Sequence, residues 1–297
     1  MTYEELLKDL VEKDERFMIL TAENRAAIRN LPSQIGDRFI DTGITEQTMV
    51  GVAAGLALRG RIPIAHALAT FLTMRAFEFI RTDVGIGDLP VKLVGGFSGF
   101  LSEANGPTHQ AVEDISIMRG IPNVNVFCPA DEEDMLIGLK QILESPKPIY
   151  IRYNNLKAVV KHTTDFEIGK AEVISEGKDV TILVYGILFK QAVEAREILE
   201  KKGLSVGLIN LRTLKPIDEK AILEASKSSE LLVTLEDHFV TGGLFSIVAE
   251  IFLRNKIMCD VLPIALNDKW FKPALLQDVL EYEGFTGEKI AEKILAN

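Results

Sequence analysis

The feature that most restricts how this 297-residue chain can fold is an alternation of two patterns. Short runs that are apolar on both faces of a strand take turns with longer stretches of helical period. Strands are predicted at Arg16–Leu20, Ile62–Ala67, Val91–Val94, Val124–Cys128, Ile149–Tyr153, Val180–Tyr185, Ser205–Asn210, Glu230–Glu236 and Met258–Ile264. Helices are predicted at Tyr3–Glu12, Thr45–Leu58, Phe71–Thr82, Gln110–Arg119, Asp131–Glu144, Phe189–Lys201, Asp218–Ser228, Gly243–Leu253 and Thr286–Leu295. A strand that is apolar on both faces needs cover on both, and helices between strands provide it in parallel sheets. The expected fold is α/β: two domains, each a mainly parallel sheet flanked by helices.

A break falls at Asn154–Asp179, which is polar, Lys-rich and without sustained period, and which contains Gly169 and Gly177. The expected division is a first domain over 1–155, a linker over 156–169 and a second domain over 170–297. One short strand, Lys170–Ile174, is expected inside the break. The net charge of −10 and the lack of any basic run argue against nonspecific nucleic-acid binding and against an anionic membrane surface. The longest apolar stretches, such as Met49–Leu58, are too short to span a bilayer. Met1–Glu5 lacks the basic and apolar parts of a signal peptide, so a cytoplasmic protein is expected. Cys128 and Cys259 form no close pair and read as reduced, buried thiols.

Two short stretches carry candidate chemistry. Asp41-Thr42-Gly43-Ile44-Thr45-Glu46-Gln47 puts an acid at the mouth of a helix, and Asn105-Gly106-Pro107-Thr108-His109-Gln110 puts an imidazole on a later loop. A carboxylate and an imidazole on loops of an α/β sheet suit proton transfer. Taken singly, Glu46 reads equally as an acid favoured by the helix dipole, and His109 as a structural histidine. The helix over Thr45–Leu58 is built largely of small residues, including Gly51 and Gly55. Glycine costs about 1 kcal/mol against alanine inside a helix. Close approach of another backbone, in this chain or in a second subunit, would account for both.

Phe71, Met74 and Phe77 recur at helical spacing, a pattern common in plain core. Gly95-Gly96-Phe97-Ser98-Gly99 lacks the spacing of a dinucleotide loop. The four histidines show no ligand spacing, no acid cluster resembles a calcium loop, and no G-x-S-x-G elbow is present. No metal site is expected within this chain.

In combination these pieces resemble the transketolase family. The matching stretches are Asp41–Gln47, Phe71–Val84, Gly106–Asp114, Arg119–Asp131 and Leu235–Leu244, in the family's order and over essentially the whole chain. The first domain resembles the pyrimidine-binding domain of that family and the second its C-terminal domain. The family's diphosphate-binding half is not found. Its motif begins Gly-Asp-Gly, whereas Gly-Asp occurs here only at Gly36-Asp37 and Gly87-Asp88, and neither continues that way. The resemblance therefore implies the second subunit of a split transketolase. Such a subunit is active only with a diphosphate-binding partner, in an α2β2 assembly.

Thiamine diphosphate is the cofactor that the resemblance implies, with Mg2+ or Ca2+ held mainly by the partner. The family's cofactor-activating glutamate matches Glu46. Phe71, Met74 and Phe77 match the wall around the aminopyrimidine ring. His109 matches the histidine that contacts the donor sugar and moves protons, and Arg152 matches a substrate-phosphate arginine; an ordinary strand-end charge is the alternative for Arg152. Phe97 stands where many relatives place a substrate-contacting histidine. Asn105 stands where they place an aspartate that recognises a sugar hydroxyl. These departures imply a donor or acceptor other than a standard pentose phosphate. The rival readings are a deoxyxylulose-phosphate-synthase-like subunit, a 2-oxo acid dehydrogenase β-like subunit, and an assembly subunit without turnover. Glu236-Asp237-His238 is read as a loop at a strand end near the domain interface.

Overall fold

The computed structural model describes residues 1–23 and 26–297. The N-terminal half runs α1 (Tyr3–Lys13), β1 (Phe17–Thr21), α2 (Leu31–Ile35), β2 (Phe39–Asp41), α3 (Glu46–Leu58), β3 (Ile62–Leu68), α4 (Phe77–Phe79), β4 (Lys92–Gly96), α5 (Asp114–Arg119), β5 (Asn125–Phe127), α6 (Glu132–Glu144) and β6 (Ile149–Arg152). The C-terminal half runs β7 (Glu172–Ser175), β8 (Val180–Val184), α7 (Phe189–Lys201), β9 (Val206–Asn210), β10 (Thr213–Lys215), α8 (Glu219–Ser228), β11 (Leu231–Phe239), α9 (Leu244–Asn255), β12 (Asp260–Leu266), α10 (Leu276–Glu283) and α11 (Gly287–Leu295).

The expected α/β architecture is what forms. β1, β4, β8 and β9 are buried along their whole length and β3 along all but its last residue, which is why they read as unbroken apolar runs. The first sheet has the order β10-β5-β6-β4-β3-β1-β2 and the second β12-β11-β8-β9-β7. Neighbours are parallel, as in Ile19 opposite Ile64 and Val233 opposite Ile182, except at one edge of each sheet. β7 runs antiparallel to β9, and β10 antiparallel to β5. β10 thus leaves the second half of the sequence to complete the sheet of the first.

The segment after β3 does not form one regular helix over Phe71–Thr82. It runs as π-helical turns at Phe71–Arg75 and Ile80–Gly85 on either side of α4. Nor does a helix begin at Gln110. Pro107–His109 forms a 3-10 turn, Gln110 is extended, and α5 starts only at Asp114. Ala111 instead bridges Gly99 in an antiparallel pair, and that pairing holds the backbone out of a helix. Glu236, Asp237 and His238 lie inside β11 and are fully buried, not on a loop. Cys128 is buried and Cys259 only partly so; both are free thiols.

The two halves share one core. Ile115 and Met118 of the first pack in the same apolar cluster as Leu183, Tyr185, Leu244 and Val248 of the second. Phe100 crosses the other way, meeting Phe271 and Phe285 edge-on at 5.2 and 5.0 Å. Two buried ionic clusters join the halves as well. In one, the Arg152 guanidinium binds Asp114 through Nε (2.8 Å) and Nη2 (3.0 Å), and Asp237 through Nη1 (2.7 Å). In the other, His162 lies between Asp131 (2.8 Å) and Glu172 (2.7 Å), while Arg212 pairs with Asp134 (2.7 Å) and Glu172 (3.0 Å). Asp134, His162 and Glu172 approach one another within ligating distance, yet their polar atoms are committed to these ion pairs.

Burial alone would lower the pKa of His162. Its hydrogen bonds to Asp131 and Glu172, helped by the charge of Asp134, override that and raise it to about 10. A histidine whose folded pKa lies above its unfolded value stabilises fully below the unfolded value, about 6.5, and loses that contribution as pH climbs toward 10. Urea denaturation from pH 6 to 10 should therefore show stability falling across that window, with His162→Gln flattening the fall. Removing Arg212 strands buried carboxylates, so Arg212→Ala is expected to cost roughly 3–5 kcal/mol in the same assay.

Candidate functional site

The site residues gather where the first sheet's strands end. β2 stops at Asp41, Gly43 turns the chain at φ +70°, and Thr45 caps α3 without a side-chain bond. Glu46 is the first residue of that helix, and its side chain is only 2% exposed. The carboxylate accepts from Arg75 Nη1 at 2.8 Å. The same guanidinium lies over the Phe71 ring, 4.1 Å from its centre. Phe71 in turn meets the His109 ring edge-on at 5.1 Å. A continuous line of contacts, Glu46–Arg75–Phe71–His109, thus joins the two candidate catalytic side chains. The His109 carbonyl accepts from Thr70 Oγ1 at 2.8 Å, and Nδ1 lies 2.8 Å from Thr108 Oγ1.

Met74 and Phe77 face a different space. They line an open groove with Thr73, Arg81, Ser116 and Ile117. Phe97, at φ +57°, lines a cavity of about 240 Å³ with His66, Val94, Tyr153 and Glu103. His66 is buried there, and burial pulls its pKa down to about 4 despite its backbone hydrogen bonds. It is therefore a neutral imidazole, with Nε2 2.8 Å from the Tyr3 hydroxyl. Asn105 is exposed at the loop tip and donates to the Ser102 carbonyl at 2.9 Å.

Arg152 corrects the sequence reading. It is 3% exposed, and its guanidinium is held between Asp114 and Asp237. Its nitrogens face the domain interface and not a substrate phosphate. Nothing local marks an arginine at a strand end as buried, because one of its partners is 85 residues away. Arg75 was missed for a related reason: one cation inside an apolar stripe reads as a solvated face. Its neighbours Phe71 and Met74 gave the only signal.

Comparison with known proteins places these features. Residues 1–158 match the family model for the transketolase pyrimidine binding domain, and residues 169–290 that for the transketolase C-terminal domain. A putative transketolase C-terminal section of Methanocaldococcus jannaschii is 35% identical over 99% of this chain and 94% of its own length. A 6-deoxy-6-sulfo-D-fructose transketolase subunit of a Clostridium species is 37% identical over 97% of this chain and 91% of its own. A 1-deoxy-D-xylulose-5-phosphate synthase of Dictyoglomus thermophilum is 37% identical over 99% of this chain, which spans 49% of that protein. Among solved structures, one described as a split gene transketolase, inactive beta4 tetramer, superposes with a TM-score of 0.89 at 34% identity, covering 99% of this chain and 96% of that one. A transketolase from Campylobacter jejuni shares the fold at a TM-score of 0.80 and 19% identity, over 99% of this chain and 46% of that one.

The loop that carries Phe97 has little freedom. At Gly99, φ is +55° and a Cβ would lie 1.7 Å from Asp237 Oδ2. Gly99→Ala is expected to destabilise the chain by about 3 kcal/mol, through overpacking and left-handed strain together, as read by urea denaturation.

Proposed function

We propose that this chain, which belongs to the transketolase family through both of its domains, is one subunit of a split, thiamine-diphosphate-dependent transketolase. It supplies the aminopyrimidine side of the cofactor site. A separate N-terminal subunit binds the diphosphate together with Mg2+ or Ca2+, and the pair assembles as α2β2. The assembled enzyme transfers a two-carbon ketol unit from a ketose or ketose phosphate to an aldose. Relatives of nearly this extent support the subunit reading, one named as a section and one as a subunit of a transketolase.

The observation that carries the reading is the setting of Arg75. A flat, nitrogen-rich cation stacks on Phe71 and donates to the buried Glu46 carboxylate. An aminopyrimidine ring that shares a proton with a carboxylate asks for the same two things, a flat apolar face and an acceptor at its edge. These residues therefore fit the cofactor. Arg75 has a 40% exposed side chain on a flexible stem, so it can swing out to solvent when the ring takes its place beside the buried Glu46 carboxylate.

When bound, thiamine diphosphate supplies the carbanion chemistry of carbon–carbon bond exchange beside a carbonyl. Glu46 would hold a proton at ring atom N1′ of the aminopyrimidine. Phe71 orients the ring and excludes water from one face, while Met74 and Phe77, expected in the same wall, line a separate open groove. His109, at the other edge of Phe71, moves a proton on the donor sugar. Phe97 and Asn105 shape the substrate side, where the usual histidine and aspartate are replaced. Arg152 has no part in substrate binding here.

The outer face of α3 is the place for a second subunit. A Cβ at Gly51 or Gly55 would meet nothing within 4 Å outside its own helix, so among the described residues no other backbone packs into the space either glycine leaves. A second reading, a subunit acting on 2-oxo acids, has the 37% identity to a 1-deoxy-D-xylulose-5-phosphate synthase in its favour. A donor screen of ketoses against 2-oxo acids separates the two readings.

The test is to purify the chain alone and with its candidate partner, and to measure cofactor binding and ketol transfer. Tight binding and turnover are expected only for the pair; turnover by the chain alone overturns the split-site reading. In the pair, Glu46→Gln and Glu46→Ala should each lower kcat by at least about 100-fold, the usual weight of a proton-transfer group. Near-normal rates in both variants would defeat the assignment of Glu46. Cofactor bound by the pair without turnover on any donor would favour the non-catalytic alternative.

A further inference from the structure

The segment that follows His109 is fastened to the C-terminal half at every second residue. Gln110 Nε2 donates to the Phe271 carbonyl at 2.8 Å. The Val112 carbonyl accepts from Phe239 N–H at 2.9 Å. The Asp114 carboxylate is gripped by Arg152, which is itself pinned to Asp237. The Ser116 N–H points at His238 Nε2, 3.3 Å away. Gln110, Asp114, Asp237 and His238 are all buried. On the first-domain side, the His109 carbonyl accepts from Thr70 Oγ1 and the Ala111 carbonyl from the Gly99 N–H.

Upstream of His109, Glu103 Oε1 accepts from the Leu276 N–H at 3.3 Å and Phe100 packs on Phe271 and Phe285, but the stretch between Glu103 and His109 is more open. Ala104, Asn105, Pro107 and Thr108 are exposed, and Gly106 sits at φ +84°. The imidazole itself touches Thr108, its own neighbour, and the edge of Phe71. Its position is therefore set by the backbone at 109–112, and that backbone is set from across the domain interface.

We propose that the C-terminal half positions His109 through Gln110 and Asp237. The proposal rests on the reading of His109 as a proton-transfer residue. Gln110 and Asp237 are positioning residues: both side chains are buried and bonded across the domain interface. Gln110 anchors the residue next to the imidazole, and Asp237 holds the Arg152–Asp114 pair that fixes the start of α5. The end of β11 and the segment at Phe271 act as one clamp on the histidine segment.

The test uses Gln110→Met, which keeps volume and removes the donor, and Asp237→Asn, which keeps shape and removes the charge. Gln110→Met carries the test alone if Asp237→Asn fails to fold. Amide hydrogen exchange on the full chain should rise by about 10-fold in peptides covering residues 98–112, the weight of one lost hydrogen bond. Peptides covering β8 and α7 should not change. In the complex with the partner subunit, kcat should fall by up to about 100-fold, as for a small misplacement of a catalytic group. Cofactor affinity should be unchanged in the same samples, whereas general destabilisation would weaken it too. Unchanged exchange over 98–112 in the folded variants overturns the clamp whatever His109 does. Increased exchange with unchanged kcat, in a system where His109→Gln is inactive, overturns its positioning role. An active His109→Gln enzyme instead overturns the reading of His109, and the exchange data then report on the clamp alone.

Discussion

The arrangement depends first on one buried cation. Arg152, at the end of β6, has both faces of its guanidinium edge occupied, by Asp114 from the start of α5 and by Asp237 from β11. Withdrawing three charges from water costs several kcal/mol for each ion, and only near-complete pairing offsets it. Here the pairing takes up every atom but one, Asp237 Oδ2, which has no hydrogen-bond partner among the described residues. Nε and Nη2 form a fork on Asp114, Nη1 meets Asp237, and the Tyr150 hydroxyl donates to Asp114 at 2.6 Å. Burial holds the Asp237 carboxyl above the usual carboxylate range, with Arg152 opposing that only in part. The charges tolerate burial only while both halves of the chain are in place.

An ionic seam of this kind specifies an orientation where an apolar one would allow sliding. The His162–Arg212 cluster applies the same constraint further along, tying the break between the domains to α6 and β7. Apolar contacts supply the area. Phe100 packs between Phe271 and Phe285, and Ile115 and Met118 reach the core under β8 and α9. β10 adds a backbone ladder by pairing with β5 across the same boundary. Loops on the substrate side rest on this seam and take their geometry from it, which is why Gly99 has no room for a methyl group beside Asp237.

Local patterns made the architecture legible and long-range pairing made the rest illegible. Runs such as Ile62–Leu68 and Val180–Val184 are apolar on both faces because both faces are covered, so the α/β class follows from them directly. Glu46 and His109 stood out because each sits in a distinctive short motif. Arg152 did not reveal its burial, since a strand-end arginine looks the same whether it meets solvent or a distant carboxylate. Gln110–Glu113 has helical composition, yet Gly99 and Phe239 claim its backbone for extended pairing. Thr213–Lys215 is too short to show which sheet it joins. In each case a tertiary contact overrode a local preference, and contacts of that kind leave no period in the sequence.

The outer face of α3 extends this logic to what the chain has not yet buried. Gly51 and Gly55 cost the helix about 1 kcal/mol each, and among the described residues no other backbone packs into the space they leave. Ile44 and Leu58, at the two ends of that helix, are 68% and 73% exposed. Glu46 heads the same helix, and its present partner Arg75 stands half in water. In the proposed assembly, a subunit covering α3 would use the glycine space and cover the exposed flank of Arg75 beside Glu46 in one event. The stability given up at the two glycines then has its counterpart in the interface that they admit.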